Sequence, residues 1–310
     1  MAKISRTVPE DMRGARLDKA MVTLFQGASR ARVKRAIEAS EVRVNGRRLA
    51  KGGVVSPGDV IEVEETLVAG GDGPCVPEAE AALTELFASD LVLVLDKPAG
   101  QPTAPLRDGE TGTLANALVG HHPEVASFGY SPREPGIVHR LDTETSGCVL
   151  AARSEPAFGT LRAALQDERI EKEYLLVCAS ENLPDQGTIE YPIANHPKDK
   201  KRVYPCIHPR DVMRYAPRPA VTSFTVERRA GRFALVRAHA ARAVRHQIRA
   251  HFAALGHPLV GDGLYGGEKV AGLERHALHA SRIAYDGGGE AKLAFDVSSP
   301  LPADMAGLLA

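Results

Sequence analysis

Residues 136–152 place two short apolar runs, Ile137-Val138 and 148–152, on either side of a polar segment that closes with Ser146-Gly147. That pattern predicts strand, turn, strand, with the polar segment at the reversal. His139, Arg140, Asp142 and Glu144 are crowded into six positions there. Ionisable groups drawn toward a core need partners. The cluster is either a structural ion-pair knot or a reacting site, and spacing alone leaves both open.

The chain is long enough for one large domain and a small one: 310 residues, 44% of them hydrophobic. Its formal net charge is zero, so no global basic field marks a nucleic-acid partner. The charge is nevertheless segregated. Residues 13–51 hold eleven Lys and Arg against three acids, and residues 62–90 hold eight acids and no base. The four cysteines, Cys75, Cys148, Cys178 and Cys206, form no C-x-x-C pair. No apolar run reaches membrane-spanning length. The expectation is a cytoplasmic protein with free thiols.

At the N-terminus, helices are predicted over 16–25 and 29–40, the second capped by Ser29. Val33, Ala36 and Ile37 make its apolar stripe, leaving Arg30, Arg32, Lys34 and Arg35 on the remaining surface. A short strand over 42–46 ends in the Asn45-Gly46 turn, and a strand-like stretch over 54–63 is broken by Pro57-Gly58. Residues 1–65 thus read as a small α/β domain. An acidic, Gly/Pro-containing linker is expected over 66–90, with a short helix at 78–87.

Residues 91–310 form the larger domain. Strands are predicted at 91–95, 172–179, 222–226, 233–236, 278–283 and 292–297. Helices are predicted over 112–121 and 246–255, with another capped by Ser154. Without a βαβ rhythm, the class is α+β, with a mixed, largely antiparallel sheet flanked by helices and loops. Gly261-Asp-Gly263 lacks the glycine spacing of a dinucleotide loop. His246 and His251 lack the i, i+4 zinc spacing and have no accompanying Glu, so no metal is expected despite further histidines at 239, 257, 276 and 279.

Two resemblances sharpen this reading. Arg16-Leu-Asp-Lys19, Ser29-Arg-Ala-Arg-Val33, Val42-Arg-Val-Asn-Gly46, Lys51 and Gly58-Asp-Val-Ile61 resemble the S4-type RNA-binding domain. This implies RNA contacts from Arg16, Ser29, Arg30, Arg32, Arg35, Asn45, Gly46 and Lys51; clustered cations neutralise phosphates without reading sequence. His139-Arg-Leu-Asp-Thr-Glu-Thr-Ser-Gly147 resembles the signature of the RluA-type pseudouridine synthases. Leu95-Asp-Lys-Pro-Ala-Gly100, Lys172-Glu-Tyr174, His246-Gln-Ile-Arg-Ala-His251, Gly256-His-Pro-Leu-Val-Gly-Asp262 and Leu264-Tyr-Gly266 follow in the family's order.

That family breaks the N-glycosidic bond of a uridine in RNA, turns the base and rejoins it through C5, using no cofactor. The resemblance implies Asp142 as nucleophile, Arg249 as its partner, Tyr174 against the uracil and Arg140 in extruding the base. Two positions depart from the family pattern: Thr143 stands where a basic residue is usual, and Arg242-Ala-Val-Arg245 replaces Thr-Gly-Arg, shifting the basic RNA contact to Arg245. Within the resemblance, members carrying the N-terminal module most often modify large-subunit (23S) ribosomal RNA, which is therefore the substrate that the resemblance implies. The alternatives are a tRNA-directed synthase and a non-catalytic RNA-binding or ribosome-assembly protein. Oligomeric state is not readable from the pattern.

Overall fold

A computed structural model describes residues 3–25, 28, 30–49, 52–64, 73–241 and 243–310, with backbone alone at Arg30, Ala31 and Arg35. It has two compact units, Met1–Pro74 with Arg107–Gly109, and Cys75–Leu106 with Glu110–Ala310.

In the first unit, β1 (Lys3–Thr7), α1 (Leu17–Leu24), α2 (Arg30–Glu38), β2 (Arg43–Val44) and β3 (Val60–Glu64) follow in order. β3 is central, antiparallel to both β1 and β2. Asn45 and Gly46 both take positive φ, 49° and 74°, as a two-residue hairpin turn requires. Val44 and Arg47 close that turn through reciprocal backbone bonds of 2.8 and 3.0 Å. Leu17, Met21, Phe25 and Val33 meet Val44, Val55 and Ile61 in one core. β1 escapes a pattern-based reading because its side chains are mostly exposed.

The second unit begins earlier than a linker over 66–90 would allow. The expected helix at 78–87 gives way to a strand, β4 (Glu85–Ala88), antiparallel to β5 (Val92–Lys97). Edge pairing with residues 93–95 outweighs the local helical preference. There follow α3 (Leu114–His121), β6 (Ser146–Ala152), α4 (Glu155–Gln166), β7 (Glu171–Ala179), β8 (Gln186–Ile189), β9 (Ile193–Asn195) and β10 (Val203–Pro205). Then come α5 (Pro209–Tyr215), β11 (Thr222–Ala230), β12 (Phe233–His239), α6 (Gln247–Ala254), β13 (Leu278–Tyr285), β14 (Phe295–Ser298) and α7 (Ala303–Ala306).

The large sheet runs β4-β5-β6-β13-β7-β12-β11-β8, with β14 also on β13. Its pairings are antiparallel except β6 with β13. The expected mixed, largely antiparallel class is therefore what forms. At the parallel pairing, Gly147 (φ 107°) passes so close to β13 that a Cβ would overlap the Ala280 carbonyl. Ser154 caps α4 as expected, accepting from the Ala157 N–H. The first apolar run of the opening stretch is not a full strand. Gly136 and Val138 bond to Ala152 and Leu150 of β6, which leaves the charged segment between them projecting from the sheet.

Candidate active site

Asp142 sits in the turn that delivers the chain into β6, where its carbonyl accepts from the Thr145 N–H at 3.0 Å. Thr103 braces that turn: its hydroxyl donates to the Leu141 carbonyl at 2.9 Å and accepts from the Leu141 N–H at 3.2 Å. From below, the buried Lys97 ammonium donates to the carbonyls of Pro98, Gln101 and Thr143 at 2.8, 2.8 and 3.0 Å. Burial lowers Lys97 to about 8, against the opposing pull of Glu144 and Asp142.

Arg249 reaches the same place from the first turn of α6. It donates from Nη1 to Asp142 Oδ2 at 2.8 Å. Its other edge donates from Nε and Nη2 to the two Asp262 oxygens at 2.7 and 2.9 Å. Side-chain exposure grades outward, from 1% at Asp262 through 8% at Arg249 to 25% at Asp142. Burial would raise the Asp262 carboxyl, but Arg249 more than offsets this and holds it below its ordinary value. A cation in a helix's first turn is disfavoured by the macrodipole, and Asp262 compensates. An interior carboxylate thereby fixes the guanidinium that orients a half-buried one.

His246 caps α6 in the left-handed conformation, φ 55° and ψ 17°. Its Nε2 lies 3.7 Å from Asp142 Oδ2. The Tyr265 hydroxyl accepts from the Val203 N–H at 2.8 Å and lies 3.1 Å from His246 Nδ1, to which it can donate. When Tyr265 donates to Nδ1, the imidazole proton is on Nε2, facing Asp142. Desolvation lowers His246, with Asp142 opposing and Arg249 assisting. Tyr174 lies in β7 opposite Ala238 and Ala280 and is 5% exposed. Burial, then the charge of Asp142, pushes its phenol upward.

Sequence comparisons place the chain among known proteins. Residues 91–254 match the RNA pseudouridylate synthase family, and residues 15–61 match the S4 domain. The ribosomal large subunit pseudouridine synthase D of Yersinia pestis is 33% identical over 91% of this chain and 86% of its own length. The uncharacterized RNA pseudouridine synthase YlyB of Bacillus subtilis is 32% identical over 100% of this chain and 98% of its own. This chain belongs to the RNA pseudouridylate synthase family. Human RNA pseudouridylate synthase domain containing 1 shares the architecture, with TM-score 0.55 and 25% identity over 72% of this chain and 84% of that one.

In the synthase Arg249 meets Asp142 directly, and Tyr174 lies near enough to feel the Asp142 charge. Arg140 is exposed on the same turn and pairs with Glu134 at 2.6 Å. Arg245 turns back on its own chain, donating to the Lys200 and Arg202 carbonyls at 2.9 Å each. His139 is drawn into the scaffold, where its Nε2 accepts from the Leu150 N–H at 3.1 Å. Glu144 is exposed, and its carbonyl accepts from Arg275 at 3.4 Å.

In the S4 unit, Arg16 closes on Asp18 at 2.9 and 3.0 Å. The Asn45 amide serves its own hairpin, donating to Asp59 at 2.7 Å and accepting from the Val60 N–H at 2.8 Å. The Gly46 carbonyl accepts from Arg43. Arg32 is half-buried. Ser29, Lys51 and Arg242 lie outside the described residues, as do the side chains of Arg30 and Arg35.

Sequence reasoning missed Asp262, Lys97 and Tyr265 as parts of the site, although each stands within a family motif. No local periodicity marks them, because each finds its partner across the tertiary fold. Among the described residues no cluster of His, Cys, Asp and Glu has metal-binding geometry, and no helix is long and apolar enough to cross a membrane.

Proposed function

We propose that this synthase isomerises uridines of large-subunit ribosomal RNA, with Asp142 as the nucleophile. The observation that carries the assignment is the Asp142–Arg249–Asp262 chain: one carboxylate, open to solvent, is oriented by a guanidinium that an interior carboxylate immobilises. Covalent catalysis needs a nucleophile of that kind beside the flipped nucleoside. Tyr174, which feels the Asp142 charge, is assigned to packing against the uracil and assisting loss of the C5 proton. Arg140, solvent-exposed on the same turn, is assigned to displacing the base from its stack.

Ribosomal RNA is the substrate that the Yersinia pestis relative's name supports, and the S4 unit fits a large structured RNA. A cytoplasmic setting would follow from that substrate. We divide the chain into an RNA-holding domain ending near Glu64 and a catalytic domain beginning near Cys75. The test is a pseudouridine map of ribosomal RNA from cells with and without the protein. One or more sites should disappear on deletion and return with the wild-type chain but not with Asp142→Asn. Maps that are identical in ribosomal RNA and altered in tRNA would replace the substrate assignment.

A further inference from the structure

The hairpin of β9 and β10, its loop 196–202 and helix α5 carry an unusual charge balance. Residues 196–218 contain seven Lys and Arg and two acids, Asp199 and Asp211. Both acids are engaged internally. Asp199 accepts from the Lys201 N–H at 2.8 Å, and Asp211 from the Tyr204 hydroxyl at 3.1 Å. Elsewhere on this unit surface arginines close on carboxylates, as Arg153 does on Glu124, Arg229 on Asp185 and Arg282 on Asp296. Among the described residues no such ion pair forms at Lys198, Lys200, Lys201, Arg210, Arg214 or Arg218, all of them exposed.

The segment is ordered by its own contacts. His196 Nδ1 accepts from the Asp199 N–H at 2.9 Å. The rings of His196 and Tyr204 pack edge to face, as do those of Tyr204 and Tyr215. Arg214 lies over the Tyr215 ring at 5.3 Å. Met213 projects from α5, 89% exposed.

The same segment is fastened to the active site. Arg245, next to His246, holds the Lys200 and Arg202 carbonyls. Tyr265 accepts from the Val203 N–H, and the Arg202 and Arg249 guanidinium groups lie 5.4 and 5.3 Å from its ring centroid. Unneutralised cations on an ordered support, with an exposed apolar side chain among them, match a polyanion that also offers unpaired bases.

We propose that loop 196–202 and α5 form an arm that holds the RNA strand next to the nucleotide bound at Asp142. Its lysines and arginines contact phosphates, and Met213 packs against an unpaired base. The choice of RNA as occupant rests on the function proposed above.

The experiment measures anisotropy of a labelled ribosomal RNA fragment, over a range of KCl concentrations, with the full-length Asp142→Asn protein. This parent is compared with derivatives carrying Lys198→Ala, Lys200→Ala and Lys201→Ala together, or Arg210→Ala with Arg214→Ala. Each set should weaken binding about tenfold or more and flatten the salt dependence by about 0.7 in log–log slope for each phosphate that is no longer neutralised. Arginine at the three lysine positions should restore both, while Lys292→Ala, elsewhere on the unit, should change neither.

Parent-like affinity and slope in both alanine sets would overturn the arm, as would a parent that binds no RNA. A wild-type chain whose binding depends on the arm, yet which leaves no pseudouridine in that RNA, would instead overturn the substrate reading.

Discussion

Asp262 holds Arg249 by both oxygens, so that a single nitrogen of the guanidinium remains for Asp142. The buried pair sets the direction of the half-buried Asp142 carboxylate. Removing one partner of such a pair leaves an uncompensated interior charge, at a cost of about 3–5 kcal/mol. Asp262→Asn should therefore lower stability by that order in urea titrations and reduce turnover by a larger factor than RNA affinity. Turnover unchanged in a stably folded variant would detach Asp262 from the site.

Asp142→Asn keeps the shape and one hydrogen-bond acceptor but removes the charge on which the proposed nucleophile depends. Loss of a residue that forms the covalent intermediate should lower the single-turnover rate by at least about a thousandfold. RNA binding should fall little, because Asp142 contributes no cation to phosphate contacts. Single-turnover assays paired with filter binding separate the two. Residual turnover within tenfold of wild type would assign the nucleophile elsewhere.

His276 links the site to acid stability. It is 5% exposed, and its Nε2 meets the Thr145 hydroxyl at 2.7 Å. Burial first, then the charge of Arg249, lowers it from 6.5 to about 4. Between those values the unfolded chain binds the proton and the folded chain does not. Stability from this group is therefore complete above pH 6.5 and lost as pH falls toward 4. Urea midpoints should decline over that interval, and His276→Gln should make the decline shallower. Parallel profiles for the two proteins would refute the assignment.

Lys97 should behave as a positioning residue. Lys97→Met fills nearly the same volume but takes the ammonium donor from the Pro98 and Gln101 carbonyls, while the Thr143 carbonyl keeps its bond from the Gly100 N–H. A buried acceptor left unsatisfied costs about 1–3 kcal/mol, and these two are only part-buried, so a loss at the lower end of that range is expected. Because Thr143 adjoins Asp142, the chemical step should slow more than KM rises. A stable variant with wild-type turnover would show that the cage supports only the fold.

The sequence by itself determined the local pieces. The Asn45-Gly46 hairpin, the Ser154 cap and the runs that became β5, β7 and β13 depend on residues a few positions apart, and propensity, capping and alternation report those interactions directly. The order of motifs was equally legible and carried Asp142, Tyr174 and Arg249. Tertiary structure decided what those motifs do to one another. Strand β4 replaced the helix expected at 78–87 because an edge of β5 was available to pair. Arg245 and Asn45 turned their polar groups to their own chain because nearby carbonyls and Asp59 needed partners. The opening cluster resolved in the same way: His139 entered the scaffold, Glu144 stayed in solvent, and Asp142 met an arginine 107 positions away. Such contacts depend on how the elements pack, and the residue pattern within any single element does not encode it.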